Sequence, residues 1–419
     1  MISPPRTEPE QVEVPAERAP SCILCGRCLE VCPLFQATQR EELSPKAKQL
    51  LAQTTARATK ATDGQVSACA VTPALVETKA AVDLASLCLG CGRCAAVCPQ
   101  GLSIPDAVAG LRAAHPGFRA WIWKTWLIRA AVLWPALSSL ATRLPERKAG
   151  LRLRTLQAMR CGPLPPAWLR PLFGTAPPAA TLPAQAVIFG GCLANFIRQD
   201  WLGKAHAVAE GLGCALLPAP EWSCCGASLG GAGLPGAQHA LRVRNVRAWR
   251  QAGRPVLLVF CASCLDGLRA CAMDSSLNWA PGEAAIWTAS LVPLAMLWGE
   301  TQFEVSANAP QRLHYHQPCH GGAGAVELEW LRRVVGGRLG NWTAVECCGL
   351  GGVLQLAAPE LGRTVARTCW ERLAARPGEH VLTGCSGCVL QLSATAPAGV
   401  QVGHWLDALD VVAPPSSRL

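Results

Sequence analysis

Two copies of one cysteine pattern lie in the first quarter of this 419-residue chain. Each copy reads CxxCxxCxxxCP, and thiolates at this spacing bind two [4Fe–4S] clusters, with the fourth cysteine of each run serving the other cluster. A zinc site is the alternative, but zinc sites pair two CxxC units across a longer loop and have no use for the trailing proline. The predicted ligand sets are Cys22, Cys25, Cys28 and Cys98 for one cluster, and Cys32, Cys88, Cys91 and Cys94 for the other.

A different cysteine cluster is duplicated in the second half of the chain. Each copy has one cysteine, then CysCysGly, then CxxC, and each CysCysGly continues into a glycine-rich turn. Five thiols exceed what one zinc ion or one cubane requires, and adjacent cysteines can serve neighbouring irons of a larger cluster. The first copy comprises Cys192, Cys224, Cys225, Cys261 and Cys264, and the second comprises Cys319, Cys347, Cys348, Cys385 and Cys388.

The order of two ferredoxin-type runs followed by two CysCysGly repeats resembles the family of the glycolate oxidase iron–sulfur subunit and the related heterodisulfide reductase subunit, over roughly residues 20–410. The segment YHQPCH at 315–320 is similar to the YHDPCH signature of that family, with Gln317 in place of Asp. The resemblance implies that each set of five cysteines binds a non-cubane [4Fe–4S] cluster. One or two such clusters are expected, because the second copy has 27 residues between Cys319 and Cys347 where the first copy has 31 at the corresponding place. SPKAK at 44–48 stands where relatives carry an arginine-containing segment.

Four short apolar runs each lead into a cysteine of the repeats: AVIF at 186–189, VLLVF at 256–260, LHYH at 313–316 and HVLT at 380–383. Because these runs alternate with helical stretches, they predict parallel sheets whose carboxyl ends gather the ligands. Segments 43–57 and 80–87 are helical by composition. The predicted fold is α/β with a helical N-terminal part, in which an α-helical ferredoxin domain precedes two parallel-sheet CCG repeats. The predicted divisions are a tail at 1–18, the ferredoxin domain at 19–115, a basic tryptophan-rich segment with a Pro-rich linker at 116–183, and the repeats at 184–300 and 301–419.

The formal charge of +10 is concentrated in the middle of the chain, where residues 107–199 hold twelve basic residues and one acid, Glu146. No nucleic-acid-binding motif accompanies these charges, so nucleic acid is not expected as a partner. Segment 121–137 is rich in tryptophan, carries Lys124 and Arg129 and is expected to be broken at Pro135. It is too short and too charged to span a bilayer. We expect it to pack on a neighbouring domain or subunit, with a membrane interface as the alternative.

No export signal opens the chain, which predicts a reduced, cytoplasmic protein, with the inner face of the membrane as a peripheral location. Five cysteines fit no cluster and are interpreted as small core residues: Cys69, Cys161, Cys214, Cys271 and Cys369. His314, His316 and His320 flank Cys319, where histidine is able to bind metal or donate a proton but more often bonds to the backbone.

No GxGxxG unit is placed between a strand and a helix with an acid about twenty residues on, and no P-loop is present. Iron–sulfur clusters carry single electrons. No catalytic residue is therefore predicted on this chain. The resemblance implies an electron-transfer subunit that takes electrons from FAD-containing partners oxidising glycolate, or another 2-hydroxyacid, and passes them toward a membrane quinone. The alternative is a heterodisulfide reductase-like subunit that reduces a disulfide at a CysCysGly cluster. A further alternative, a zinc-bound interaction module, predicts a colourless protein.

Overall fold

The computed structural model describes residues 21–62, 78–145, 150–160, 166–174, 185–222, 224–320 and 322–411. The N-terminal part of the described chain is helical. Pro33 is the first residue of the second helix, where a backbone N–H would have no hydrogen-bond partner within the helix, so proline is tolerated there. The predicted tail at 1–18, Cys69 and Cys161 lie outside the described residues. The helices are α1 (Arg27–Val31), α2 (Pro33–Thr38), α3 (Pro45–Thr62), α4 (Thr78–Ala85), α5 (Arg93–Ala96), α6 (Ile104–Ala114), α7 (Phe118–Ile128), α8 (Ala130–Ala141) and α9 (Leu151–Arg160).

The first CysCysGly repeat forms a three-stranded parallel sheet in the order β2-β3-β4. A short strand, β1 (Leu169–Leu172), precedes this repeat. All four residues of β2 are buried, as expected of a parallel strand covered by helices on both faces. The elements of this repeat are β2 (Ala186–Phe189), α10 (Gly191–Phe196), α11 (Gln199–Gly211), α12 (Ala227–Gly231), α13 (Pro235–Gln251), β3 (Val256–Val259), α14 (Ala262–Arg269), α15 (Glu283–Ser290) and β4 (Leu291–Pro293).

The second repeat forms a four-stranded parallel sheet in the order β7-β6-β8-β9. The strand β5 (Gln302–Val305) precedes it and pairs antiparallel with β1. The elements of this repeat are β6 (Leu313–Pro318), α16 (Ala323–Val335), β7 (Leu339–Glu346), α17 (Leu354–Ala357), α18 (Pro359–Leu373), β8 (His380–Thr383), α19 (Ser386–Thr395) and β9 (Gln401–His404).

Two clusters of buried side chains join the two sheets. The larger cluster contains Ile188 and Leu258 of the first sheet together with Leu313, Tyr315 and Leu382 of the second. Burial of apolar surface is the main favourable term in folding, and here neither sheet covers its faces alone. The ends of β3 and β8 are therefore held next to each other, and Ala262 N–H donates to Gly384 O at 2.8 Å across the boundary.

The structure confirms the predicted fold class, including the helical N-terminal part and the parallel sheets. The four predicted strands are present, and β1, β4, β5, β7 and β9 were not anticipated. The expected break at Pro135 is wrong: the chain leaves α7 at Arg129, and Pro135 lies inside α8. Trp134 Nε1 donates to Trp126 O at 3.0 Å across this junction, which ties the two helices together. The stretch interpreted as a linker contains β1, which pairs with β5.

The domain limits drawn from the sequence stay a prediction. Within the described part of the chain, no helix is both long enough and apolar enough to cross a bilayer.

Candidate iron–sulfur sites

Two cavities in the helical N-terminal part gather the cysteines of the two ferredoxin-type runs. One is lined by Cys22, Cys25, Cys28 and Cys98, and also by Cys94. The other is lined by Cys32, Cys88, Cys91 and Cys94. Each cavity thus brings together four cysteines expected to share a cluster, and Cys94 lies at both. The first cavity is open to solvent at Cys25, which is exposed, whereas Cys94 is buried.

A buried lysine lies beside the second cavity. Lys48 in α3 is 2% exposed, lines the cavity and donates from Nζ to Leu43 O. Burial lowers the pKa of Lys48, and the neighbouring thiols of Cys88 and Cys32 act in the opposite direction. A buried ammonium is costly unless a negative partner compensates it. The four thiolates of this site, once they bind iron, provide such a partner.

The five cysteines of the first repeat form one continuous group at the carboxyl ends of β2 and β3. The thiol of Cys224 contacts those of Cys192 and Cys225, and the thiol of Cys264 contacts those of Cys225 and Cys261. Glycine is needed in the CysCysGly turn because Gly226 has a φ of 79°, a left-handed conformation that side chains disfavour. The buried Asn245 fixes the turn by donating to Cys224 O at 2.9 Å.

The five cysteines of the second repeat form a pair and a triple. Cys347 contacts Cys319, whereas Cys388 contacts both Cys348 and Cys385. The glycine of the second CysCysGly turn, Gly349, has a φ of 87° and lies directly against Gly362 O, so no side chain fits there. The two repeats therefore share the same local turn but differ in how their thiols are connected.

The four cysteine groups lie next to one another. Cys91 of the second cavity contacts Cys347 of the second repeat, and Cys385 of that repeat contacts Cys261 of the first repeat. Ser386 N–H donates to Cys261 Sγ at 3.4 Å, and Cys385 Sγ lies 3.6 Å from Ser263 Oγ. The cysteine groups thus lie in a row from the N-terminal cavities through the second repeat to the first, and the pair and the triple of the second repeat are joined along the chain at Cys347 and Cys348.

Charged residues fix the boundaries along this row. Arg93 Nη1 lies 3.3 Å from Glu346 Oε1 and joins the helical part to the second repeat. His320 Nδ1 lies 3.2 Å from Asp266 Oδ2 and joins the second repeat to the first. Burial acts to lower the pKa of His320, but the hydrogen bond and the charge of Asp266 raise it, with smaller contributions from Cys91 and Cys348. The net effect is a pKa above the ordinary value for histidine.

A buried carboxyl group lies behind the second repeat's thiols. Glu327 in α16 is 1% exposed, accepts from Trp405 Nε1 at 3.0 Å and accepts from the Tyr315 hydroxyl. Burial raises the pKa of Glu327 to about 7. Its carboxylate lies directly against Gly384, the residue before Cys385, so no side chain is tolerated at that position.

The environment of the cysteine thiols disfavours free thiolates and suits thiolates that bind iron. Burial raises the pKa of Cys94 to about 12, and contact with Cys192 followed by burial raises the pKa of Cys224 to about 12. Contact with Cys261 raises the pKa of Cys385 to about 12. Iron is bound by thiolates, and the positive charge of the metal stabilises the anionic form that crowding and burial disfavour. Among the described residues no three metal-binding side chains close on a single ion, whereas a four-iron cluster spreads its thiolates over separate irons.

The remaining residues singled out from the sequence have structural environments. Cys214, Cys271 and Cys369 are buried within the cores of the two repeats. His314 Nε2 lies 2.8 Å from Glu379 Oε2, and its Nδ1 accepts from Asn341 N–H. His316 is fully buried next to Thr383, and burial lowers its pKa to about 4, so its ring is neutral. The sequence analysis did not identify four residues that contact the thiols or their neighbours, because no cysteine spacing marks them: Lys48, Ser263, Glu327 and Glu346.

Comparison with known proteins agrees with this arrangement. Residues 18–102 match the 4Fe-4S dicluster domain, and residues 186–269 and 313–393 each match the Cysteine-rich domain. The chain is therefore an iron–sulfur protein that carries one 4Fe-4S dicluster domain followed by two cysteine-rich domains.

The chain is also similar to named proteins over most of its length. It is 23% identical to the probable glycolate oxidase iron-sulfur subunit of Bacillus subtilis, covering 89% of this chain and 88% of the relative. It is 22% identical to the glycolate oxidase iron-sulfur subunit of Escherichia coli, covering 93% of each. It is 24% identical to a subunit of the dihydromethanophenazine:CoB–CoM heterodisulfide reductase of Methanosarcina mazei, covering 88% of this chain and 87% of the relative. These relatives confirm the resemblance drawn from the cysteine motifs.

Proposed function

We propose that this chain is the electron-transfer subunit of a flavin-dependent 2-hydroxyacid dehydrogenase complex, with glycolate as the substrate oxidised on FAD-containing partner subunits. The observation that carries this proposal is the row of neighbouring cysteine groups, in which Cys91 contacts Cys347 and Cys261 contacts Cys385. Iron–sulfur clusters supply one-electron transfer when bound, and such transfer requires neighbouring redox sites. Electrons would leave the complex toward the quinone pool.

The ligand sets of this proposal follow the four cysteine groups. Two cubane clusters are assigned to the N-terminal cavities, and one or two non-cubane clusters to the cysteine-rich domains. The first repeat's five thiols form one connected group, which favours a five-thiolate cluster there. The second repeat's thiols divide into a pair and a triple. Its cluster is therefore the one to test by counting iron.

The proposal is tested by purifying the native complex without oxygen. We expect flavin-bearing subunits to co-purify with the chain and glycolate to reduce an added dye. Cys91→Ser is expected to interrupt dye reduction that depends on this chain, because Cys91 lies between the N-terminal part and the second repeat. Cys214→Ser is the matched control, since Cys214 is buried in a hydrophobic core and burial alone, without a neighbouring thiol, raises its pKa. A chain that purifies without a flavin-bearing partner would contradict the proposal.

A second candidate function is reduction of a disulfide at the cysteine-rich domains. It is favoured by the contact of Cys261 with Cys385, which places the thiols of both repeats side by side, and by the similarity to the heterodisulfide reductase of Methanosarcina mazei. Cys192 and Cys319 are only partly buried and leave the groups accessible. The isolated chain, reduced with dithionite and freed of excess reductant, is mixed with a heterodisulfide of two small thiols. Stoichiometric release of thiol would support this function, and no release would leave the electron-transfer proposal as the better one.

A further inference from the structure

The helices α7 and α8 expose an unusually apolar surface. Of the fifteen large hydrophobic side chains that are exposed among the described residues, seven lie between residues 118 and 144. Within α7, the rings of Phe118 and Trp121 stack with their centroids 5.5 Å apart. We name this surface the α7–α8 face, and it consists of Phe118, Trp121, Ile128, Val132, Leu137, Leu140 and Leu144.

The opposite side of the same two helices is already covered by the protein. Trp134 is 4% exposed and meets Phe196 edge-on at 6.5 Å between ring centroids. Trp123 Nε1 donates to Ser228 Oγ at 2.9 Å. The helices are thus anchored on the first cysteine-rich domain through one side. The predicted packing on a neighbouring domain accounts for that side only and leaves the α7–α8 face without a partner among the described residues.

Positive charge surrounds the α7–α8 face. Arg119, Lys124, Arg129 and Arg143 are exposed, and the segment 107–145 contains no aspartate or glutamate. Among the residues that the structure describes, none of these four cations pairs with a carboxylate. An apolar strip with tryptophan and flanking cations is the arrangement that lies flat in the interface of a membrane with anionic lipids.

We propose that the α7–α8 face binds the surface of an anionic lipid bilayer, with α7 and α8 lying in the plane of the interface. A second copy of the chain fits less well, because a symmetric contact would bring the same cations of both copies together. A bilayer meets both features, since its acyl boundary accepts the apolar side chains and its phosphates pair with the arginines and the lysine. Lipid binding does not depend on what the iron–sulfur sites carry.

The test is sedimentation of the cluster-loaded full chain with vesicles, without any electron donor. The chain is expected to sediment with vesicles of phosphatidylglycerol mixed with phosphatidylcholine, and to remain in solution with vesicles of phosphatidylcholine alone. Raising the salt concentration should weaken binding, because the lipid charge is screened. The double change Phe118→Ala with Trp121→Ala should reduce binding about tenfold or more, since it removes two large apolar side chains from the interface. Lys124→Gln should reduce binding to the charged vesicles.

The matched control is Trp342→Ala. Trp342 in β7 is 46% exposed and lies 4.2 Å from the Arg332 guanidinium, so it is another exposed tryptophan beside a cation, outside the α7–α8 face. Its replacement should leave vesicle binding unchanged. Absence of binding to charged vesicles overturns the proposal, as does an equal loss in the control. A dimer that the double change dissociates, without any vesicle binding, would assign the face to a second copy instead. None of these failures affects glycolate-dependent dye reduction by the complex, which tests the proposed function separately.

Discussion

Arg93 lies between Cys91 and Cys94, and its guanidinium is 3.3 Å from the carboxylate of Glu346, the residue that precedes Cys347. Arg372 pairs with the other oxygen of the same carboxylate. The Glu346 side chain is 7% exposed, so these contacts form in a largely desolvated place at the boundary between the helical part and the second cysteine-rich domain. The ion pair therefore fixes the position at which Cys91 meets Cys347.

Replacing this carboxylate should loosen the boundary. Glu346→Gln leaves Arg93 partly buried without its charged partner, and we expect the free energy of unfolding to fall by about 1–3 kcal/mol. Thermal unfolding followed by circular dichroism measures this loss. Glu360→Gln is the control, because Glu360 and Arg363 form an exposed pair at 3.3 Å and such pairs contribute about 0–1 kcal/mol. Equal losses in the two variants would show that Glu346 does not hold the boundary.

The buried charge of Lys48 should set the reduction potential of the cluster assigned to Cys32, Cys88, Cys91 and Cys94. A positive charge favours the more negative, reduced form, so Lys48→Met should lower that potential, by on the order of 50–100 mV. Lys48→Arg should keep it close to that of the unaltered chain. The measurement is a redox titration followed by electron paramagnetic resonance.

Lys79→Met is the control for this prediction, because the Lys79 side chain is 86% exposed and pairs with Asp83 at 2.7 Å. An exposed charge is screened by solvent and should leave the potential unchanged. If Lys48→Met leaves every potential in place while the iron content stays normal, Lys48 has no electrostatic role at this cluster.

The cysteine assignment makes a prediction about iron. Cys25→Ser should remove the paramagnetic signal of one cubane after reduction with dithionite, because Cys25 lines the first N-terminal cavity with the other cysteines of its set. Cys271→Ser should keep the full iron and sulfide content, since Cys271 is buried and hydrogen-bonded to Gly267 O in the core of the first repeat. A comparable loss of iron from Cys271→Ser would show that the ligand sets are misassigned.

Much of the site was predictable because its information is local. The runs around Cys22 and Cys88 and the CysCysGly turns are short motifs, and the strands before Cys192 and Cys385 are short apolar runs that end at the cysteine. The relations between groups were not predictable. The contact of Cys91 with Cys347 depends on how separate domains pack, which no spacing within one run encodes. The strand β7 was missed because its sequence, LGNWTAVE, mixes polar residues and a glycine into a strand at the edge of the sheet, where Asn341 and Trp342 are exposed.

Gly384 should not accept a side chain. A methyl group there would collide with the Glu327 carboxylate, which is held by Tyr315 and Trp405 and has no room to move. Gly384→Ala should therefore lower the free energy of unfolding by about 1–3 kcal/mol or more and reduce iron bound beside Cys385. Gly337→Ala is the control, because nothing lies within 4 Å of its added methyl group. Thermal unfolding and iron analysis report both effects, and a stable, fully loaded Gly384→Ala protein would contradict the contact.

Ionisation of Glu327 should make stability depend on pH. Burial raises the pKa of Glu327 to about 7 from 4.5, so the folded protein holds this proton more tightly than the unfolded chain. The stabilisation is complete below about pH 4.5, declines as the pH rises and is lost above about pH 7, a change of roughly 3 kcal/mol. Glu327→Gln does not titrate and still accepts hydrogen bonds. Relative to the unaltered protein, it should therefore gain stability between about pH 5 and about pH 8.

Denaturant unfolding of the two proteins across that range measures the difference in their free energies of unfolding. The contributions of buried His316 and His404 cancel in this difference, because both proteins contain them.

Glu379→Gln supplies a control of opposite sign. Burial acts to raise the pKa of Glu379, but hydrogen bonds from Arg376 N–H and His314 outweigh it and lower the pKa. Stability from Glu379 is therefore present above its unfolded pKa and lost as the pH falls. A Glu327→Gln protein whose stability runs parallel to that of the unaltered chain across the range would show that Glu327 is ionised throughout it and that burial does not raise its pKa.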